Sequence, residues 1–423
     1  MSTRFLWLAV ATVAMTASEL SYAQIVDLNQ AEKQALEQDF IQQQLNYRQK
    51  SVLEQGEAAA QWADPKLKVG LANIPMDSLR LNDDPMTQLV LGVSQAFPRG
   101  DSLSIKRSAA LLKSEKLSEQ GELRKLQVVQ KVRTLWFGIG FRIQAQQILK
   151  HKQQVIRQNL DNMVSGFALG GMQSQDLIQA ELELERIREK VAAHQQQEQA
   201  LRAQLGRWTG LSPDQTLQME QPDWASTNQW QSLQNSIEQQ QNLLLRHPAI
   251  KQSQTEIGYQ QQQVALTKIA YEPAFKLDVS YGRRWSELPS GSSRPDLLSA
   301  FVTVDVPLFP EKRQDRQYQA AVYQVSAAQA ERDERLRQYQ GQLSEVLTQL
   351  QFIQQRLSLY QDKLLPQAKF RIQASEQAYQ ANTGAFDRLT QAYTQELNLN
   401  LEYQKLQTER AQLQAQLRFF QGL

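Results

Sequence analysis

The chain has 423 residues, with 46 Lys and Arg against 44 Asp and Glu, and its formal net charge of +2 lacks the basic excess expected of a nucleic-acid-binding protein. Cysteine is absent, which excludes disulfides, thiolate-bound metals and a lipid anchor attached through cysteine. The histidines are scattered, and neither a paired Ser and His nor a phosphate-binding glycine loop occurs, so we predict neither an enzyme nor a bound cofactor.

The N-terminal residues 1–23 have the pattern of a secretory signal peptide. Arg4 is the basic residue, an apolar stretch runs from Phe5 to Ala17, and Ser21-Tyr22-Ala23 is a small-residue cleavage site. The apolar stretch is too short for a membrane anchor that spans a bilayer. We expect cleavage before Gln24 and an exported mature chain.

Two strands are predicted early in the mature chain, at about 65–73 and 87–97. In the first, Leu67, Val69 and Leu71 alternate with polar or small residues, and the second alternates in the same way. Apolar residues facing outward and polar residues facing inward are typical of membrane β-barrel strands. The alternative is a soluble hairpin with one face on a core.

The stretch after these strands is free of proline from Arg99 to Ser212 and predicts a pair of long helices. It is rich in good helix formers. Gly166, Gly170 and Gly171 mark the reversal between the two helices, at a tip of about 165–175. Beyond the tip, apolar residues recur at alternating intervals of three and four, which predicts antiparallel coiled-coil packing.

Residues 207–247 interrupt this pattern with glycines and prolines, and we predict a linking, equatorial region there. The second half, residues 248–423, then repeats the organisation of the first half, residues 24–206. Its strands are predicted at about 273–283 and 297–307, and its tip at about 380–387. Between the strands and the tip, a heptad pattern runs from Leu336 to Leu364.

Matching sequence markers indicate that the two halves are a duplicated unit. Their offsets are 208, 209 and 212 residues for the pairs Asp64-Pro65 and Glu272-Pro273, Pro98 and Pro307, and Leu177 and Leu389. Four strands in one chain do not close a water-filled barrel, and lipid does not tolerate open sheet edges. Two copies would supply eight strands and three would supply twelve, of which only the second leaves a passage. We therefore predict a mainly α-helical chain that forms a homotrimer, with a 12-stranded barrel continuous with a helical tunnel.

Several short motifs occur in an order that resembles the TolC family of outer-membrane efflux and secretion channels. The resemblance covers residues 24–423, and its motifs are Asp-Pro-x-Leu at 64–67, Gly-Val-Ser-Gln-Ala-Phe-Pro at 92–98, His-Pro-Ala-Ile at 247–250, Val-Pro-Leu-Phe at 306–309 and Leu-Leu-Pro-Gln-Ala at 364–368. It implies a trimeric channel in the outer membrane of a Gram-negative bacterium, in contact with outer-membrane lipid and with a large periplasmic part. It also implies a periplasmic adaptor (membrane fusion protein) and an inner-membrane pump as partners, with the pump driving transport.

Within the family, Asn73-Ile-Pro-Met-Asp-Ser and Pro85-Met-Thr-Gln resemble the branch paired with heavy-metal pumps of the resistance-nodulation-division class. The chain itself offers no metal-ligand spacing. Met76 and Met86 share one predicted external loop, where methionines are more often plain loop residues than soft metal ligands. The alternatives are a duct for multidrug efflux or type I protein secretion, and a periplasmic coiled-coil scaffold without a pore, which would leave the alternating strands unexplained.

The tips are the predicted functional site, because a closed channel needs a constriction that can open. Alignment with the acidic constriction residues of some family members places Arg388 and Gln391 at those positions, with Asp387 adjacent. Asp176 is the acidic candidate of the first half. For Asp176 and Asp387 the alternative is capping of the helix N-terminus.

Adaptor docking is expected on the same tips, around the turn glycines and the Leu-x-Gln-Ala helices. The candidates are Gly170, Gly171, Gly384 and Gln179. For Leu177 and Leu389 of these helices, packing within the hairpin is the favoured interpretation.

Overall fold

A computed structural model describes residues 25–168, 174–228, 230–381, 383 and 385–423. The predicted signal peptide, residues 1–23, lies outside the described residues. The fold is mainly helical with one small antiparallel sheet, which confirms the coarse fold class. None of the described helices combines the length and the apolar composition needed to cross a bilayer.

The elements follow one another in two similar series. The helices are α1 (Leu28–Glu37), α2 (Phe40–Ala59), α3 (Ser102–Ala168), α4 (Ser174–Thr209), α5 (Trp230–Gln234), α6 (Ile237–Leu245), α7 (Pro248–Ile269), α8 (Gln314–Leu359), α9 (Leu365–Gln380) and α10 (Phe386–Gln421). The strands are β1 (Lys66–Ala72), β2 (Gln88–Phe97), β3 (Ala274–Arg284) and β4 (Leu297–Asp305). A 3₁₀ turn (Asp223–Ala225) precedes α5.

The helices form two consecutive layers, and α3 and α8 belong to both. Near the sheet, the contacts give the order α2–α3–α7–α8. Farther from the sheet, α10 takes the place of α7 and α4 that of α2, so that the order becomes α4–α3–α10–α8, with α9 continuing α8. At 67 residues, α3 is about 100 Å long and connects both layers.

The heptad pattern of α8 is a buried seam. Leu343, Val346 and Leu350 are at most 1% exposed and pack in one cluster with Leu417 and Phe420 of α10. Burial of this kind stabilises by about 1.5–3 kcal/mol per large side chain. The three-four spacing therefore locates the packed face of the helix.

The α8–α9 rod contains a π-helical turn at Tyr360–Leu364 that its heptad spacing does not predict. The N–H of Leu365 donates to the carbonyl of Tyr360, one residue farther back than in an α-helix. Pro366 lies two residues after this turn, and in a regular helix its ring would clash with the carbonyl of Asp362. The wider turn relieves that clash, and the rod continues as α9.

The sheet has the strand order β1–β2–β3–β4, with every neighbouring pair antiparallel. The register aligns Leu67 with Val93, Val279 and Ala300, and the flanking rows on the same face are also largely apolar. We call this the apolar face. The opposite, polar face carries small, hydroxyl and charged residues, for example Lys66 level with Ser94 and Asp278.

Residues of the linking segment pack around the middle of the helical layers. Trp224 contacts the cluster that contains Trp136 and Leu205, and its ring lies 5.7 Å from that of Phe137. Trp230 is 3% exposed and joins the cluster of the α8 seam. This segment thus covers the junction where α7 and α10 exchange places.

Candidate functional site at the helical tips

The tips lie where α3 turns into α4 and α9 turns into α10. Three predicted docking residues, Gly170, Gly171 and Gly384, lie outside the described residues. Asp176 is in the first turn of α4, and its side chain is likewise outside the described part. The site is therefore built from the first turns of α4 and α10.

An apolar cluster holds these two helix starts together. Ala180 of α4 and Phe386 of α10 are 1% and 6% exposed, and Leu160 and Tyr379 pack against them. The rings of Tyr379 and Phe386 lie 5.7 Å apart in an edge-on arrangement. Leu389 is 4% exposed, as the packing interpretation of this leucine requires.

The charged candidates of the second tip are on the surface of α10. Asp387, Arg388 and Gln391 are all exposed, and Gln391 Nε2 donates to Asp387 Oδ2 at 2.7 Å. The capping interpretation of Asp387 is wrong, because Ala385 occupies the N-cap and makes no side-chain cap bond. Asp387 still lies in the first turn, where its charge interacts favourably with the helix dipole.

A polar groove of about 640 Å³ runs between the starts of α4 and α10. It brings Gln179, Asp387 and Gln391 together along one lining, whereas Arg388 is not part of that lining. The groove walls are rich in amide, hydroxyl and carboxylate groups. It can accept hydrogen bonds from, and donate them to, a docked polar helix.

Glu183 is a residue of this groove that the sequence analysis missed. Its side chain is 7% exposed, Oε1 accepts from Thr394 Oγ1 at 3.1 Å, and Arg186 lies 3.6 Å from Oε2. The signal in the sequence was weak, since Glu183 is one of many charged residues between apolar seam positions of α4. Its contact with Thr394 links the two helices of different halves.

A second buried polar group lies behind the groove. Lys152 of α3 is 3.2 Å from Glu396 of α10, and its Nζ lies 3.9 Å from the ring centroid of Tyr393. Burial lowers the pKa of Lys152, while Glu396 acts in the opposite direction. Tyr393 donates its hydroxyl hydrogen to Glu376 of α9, so three helices share one network.

The chemistry of the site consists of polar contacts that can exchange. Among the described residues, no group of three or more His, Cys, Asp and Glu side chains lies close enough to hold a metal ion. Helix ends joined by a small apolar cluster and by hydrogen bonds are suited to two alternative arrangements.

Long helical layers that carry a small antiparallel sheet at one end and polar tips at the other define the class of outer-membrane efflux channels. Residues 240–423 match the family model described as outer membrane efflux protein. The chain belongs to this family, as the resemblance to TolC family channels predicted, and it is a protein of the outer membrane.

Solved structures with the same fold cover nearly the whole chain. CusC, studied for folding and transmembrane channel formation, aligns with a TM-score of 0.75 at 14% identity over 94% of this chain and 92% of its own. VceC of Vibrio cholerae aligns with a TM-score of 0.75 at 16% identity over 93% and 96%. The open state of MtrE from Neisseria gonorrhoeae gives 0.72 at 13% identity over 93% and 88%. At such identities the likeness establishes the fold, and no curated protein sequence matches the chain.

Proposed function

We propose that the protein is the passive exit duct of a tripartite efflux system in a Gram-negative bacterium. In this proposal three copies form a 12-stranded barrel in the outer membrane and a periplasmic helical tunnel. The repeats 24–206 and 248–423, joined by the linking region 207–247, alternate around the axis. A resistance-nodulation-division pump and a periplasmic adaptor deliver the solute, and the pump supplies the energy.

The observation that carries this proposal is that every layer of the chain ends in an open edge. The edges are β1 and β4 in the sheet, α2 and α8 in the upper helical layer, and α4 and α9 in the lower one. Exposed apolar side chains occur on all four edge helices, at 64–71% exposure for Tyr47, Ile178, Tyr323 and Phe370. Copies joined head to tail close all three layers together, because the interface is heterologous and its rotation forms a ring.

The sheet supplies the second support for the duct. Its register collects the apolar side chains on one face, which suits lipid, and the polar ones on the other, which suits a water-filled lumen. An unpaired β1 or β4 edge in the bilayer would leave backbone groups without partners at several kcal/mol each. Pairing β4 of one copy with β1 of the next removes that cost.

The tips are proposed as both gate and docking surface. Asp176 and Arg388 are separated by the repeat offset of 212 residues, so equivalent positions of the two halves carry opposite charges. Alternation of these charges around three copies favours a closed constriction, with Asp387 and Gln391 beside it. The groove lined by Gln179 and Asp387 would receive the adaptor, next to the turns at Gly170, Gly171 and Gly384.

Fractionation of cells that express the full-length protein tests the duct. We expect recovery in the outer-membrane fraction and, after chemical cross-linking, a ladder that ends at three copies. Recovery as a soluble periplasmic monomer would contradict the proposal and favour the scaffold alternative. Deletion of the gene should lower tolerance to the exported solutes, and the plasmid-borne gene should restore it.

The heavy-metal branch is a hypothesis that rests on the loop motifs around Met76 and Met86. Its test is the tolerance of the deletion strain to Cu, Ag, Zn, Co and Cd, measured beside tolerance to drugs. Unchanged metal tolerance with lowered drug tolerance would remove the metal hypothesis and keep the duct. Loss of a secreted protein from the medium would instead favour type I secretion.

A further inference from the structure

The polar face of the sheet carries an uneven distribution of charge. Its basic residues are Lys66, Lys68, Lys276 and Arg284, and its acidic residues are Asp278 and Asp305. The proposed function places this face toward the lumen of the duct. Each chain would therefore contribute an excess of two positive charges to the lumen wall.

The three lysines lie close together on this face. Lys276 shares a row with Ala96 and Thr303, Lys66 occupies the next row, and Lys68 the row after that. Rows on one face are two residues apart, so the band is about 14 Å deep. It lies at the end of the sheet nearest to the helices, because β1 and β3 both begin there.

Acidic groups on the same face neutralise only part of the band. Asp278 lies 3.0 Å from Lys276, and Asp305 is paired with Arg99. In the part of the chain that the structure describes, Lys66 and Lys68 form no ion pair, and both side chains are exposed. Two lysines per chain thus retain their full charge toward the water on this face.

We propose that the band of Lys66, Lys68 and Lys276 makes the duct prefer anions, so that its solutes are anionic or neutral molecules rather than free metal cations. The inference rests on the proposed function, because it needs the polar face to line a lumen. Like charges separated by about one Debye length, ~10 Å at 0.1 M salt, add their potentials across the passage. That potential raises the local concentration of anions and lowers that of cations.

The test is the reversal potential of the full-length protein in planar phospholipid bilayers under a tenfold KCl gradient, at low salt of about 0.01 M, where screening is weak. We expect the wild-type duct to favour chloride. The double variant K66E/K68E should shift the chloride-to-potassium permeability ratio by about twofold or more toward potassium.

A matched pair of single variants separates the lumen from general charge effects. Lys68→Gln removes one positive charge from the polar face, and Arg283→Gln removes one from the apolar face of the same sheet. Only the first should lower the preference for chloride. Conductance with the same permeability ratio in the wild type and in K66E/K68E would overturn the inference and leave the duct intact. Absence of conductance from reconstituted trimers would overturn the duct, and the inference with it.

Discussion

His247 makes the stability of the protein sensitive to acid. It is 2% exposed and occupies the N-cap of α7. Its Nδ1 accepts the N–H of Ala249 at 3.2 Å, and its Nε2 lies 3.1 Å from the carbonyl oxygen of Phe419, to which it donates. Both bonds are satisfied only by the neutral ring with its hydrogen on Nε2. Protonation would turn Nδ1 into a donor that faces another donor.

The magnitude follows from the pKa. Burial among the rings of Tyr339, Phe419 and Phe420 lowers the pKa of His247 from its ordinary 6.5 to about 4, and the bond to Phe419 acts in the opposite direction. The unfolded chain therefore binds this proton more readily than the folded one. Stability is complete above the unfolded pKa and falls as the pH drops from there toward the folded pKa. At about pH 5 the loss is ~2 kcal/mol per chain.

The assay is denaturant unfolding of the detergent-solubilised protein, followed by tryptophan fluorescence at about pH 7.5 and about pH 5. His247→Asn keeps an acceptor at the N-cap and has no proton to gain. We expect the free energy of unfolding of the wild type to fall by ~2 kcal/mol per chain more than that of the variant. Changes that arise from carboxylates affect both proteins equally.

His151 provides the control, because it is exposed on α3. His151→Asn should keep the pH dependence of the wild type. Equal losses in the wild type and in His247→Asn would refute the reasoning, since the buried ring would then not be the group that binds the proton on unfolding.

Three further predictions concern packing, charge and the tip. Gly56→Ala should destabilise by ~1–3 kcal/mol, because the new Cβ would lie 2.3 Å from Ala110 Cβ, whereas Gly341→Ala meets nothing within 4 Å and should stabilise by ~0.5–1 kcal/mol; thermal unfolding compares the two. Lys152→Ala should cost ~3 kcal/mol because Glu396, 19% exposed, loses its partner, and a double-mutant cycle with Glu396→Ala should recover part of the loss; strict additivity would contradict the pairing. Arg388→Asp should raise the conductance of the trimer by placing like charges at the tip, and the exchange Asp176→Arg/Arg388→Asp should restore the wild-type value if the two residues attract each other.

Local periodicity was sufficient for the elements themselves. The alternation of Leu67, Val69 and Leu71 indicates a strand with one apolar face, and the three-four spacing that contains Leu343 and Leu350 indicates the buried seam of α8. Both signals depend on residues a few positions apart, since side-chain direction repeats every two residues in a strand and about every 3.6 in a helix.

Contacts between distant parts of the chain were beyond such reasoning. Glu183 and Thr394 are 211 residues apart, and Lys152 and Glu396 are 244 apart, so no local pattern marks either pair. The π-helical turn before Pro366 has the same origin in part, because prolines usually end a helix and here the neighbouring α10 keeps the rod in place. Ala385 rather than Asp387 caps α10 for a related reason, since burial of Phe386 sets where the helix begins.

The duplicated pattern of strands and helices was thus legible in the order of residues, because it repeats locally at offsets of 208 to 212. The open edges of the three layers were not, because an edge exists only once it is known which elements lie beside each other. The same holds for the lysine band: Lys66 and Lys276 are 210 residues apart, and only the register of β1, β2 and β3 places them in adjacent rows of one face. Hydrogen bonding between strands, rather than proximity along the chain, decides which charges act together.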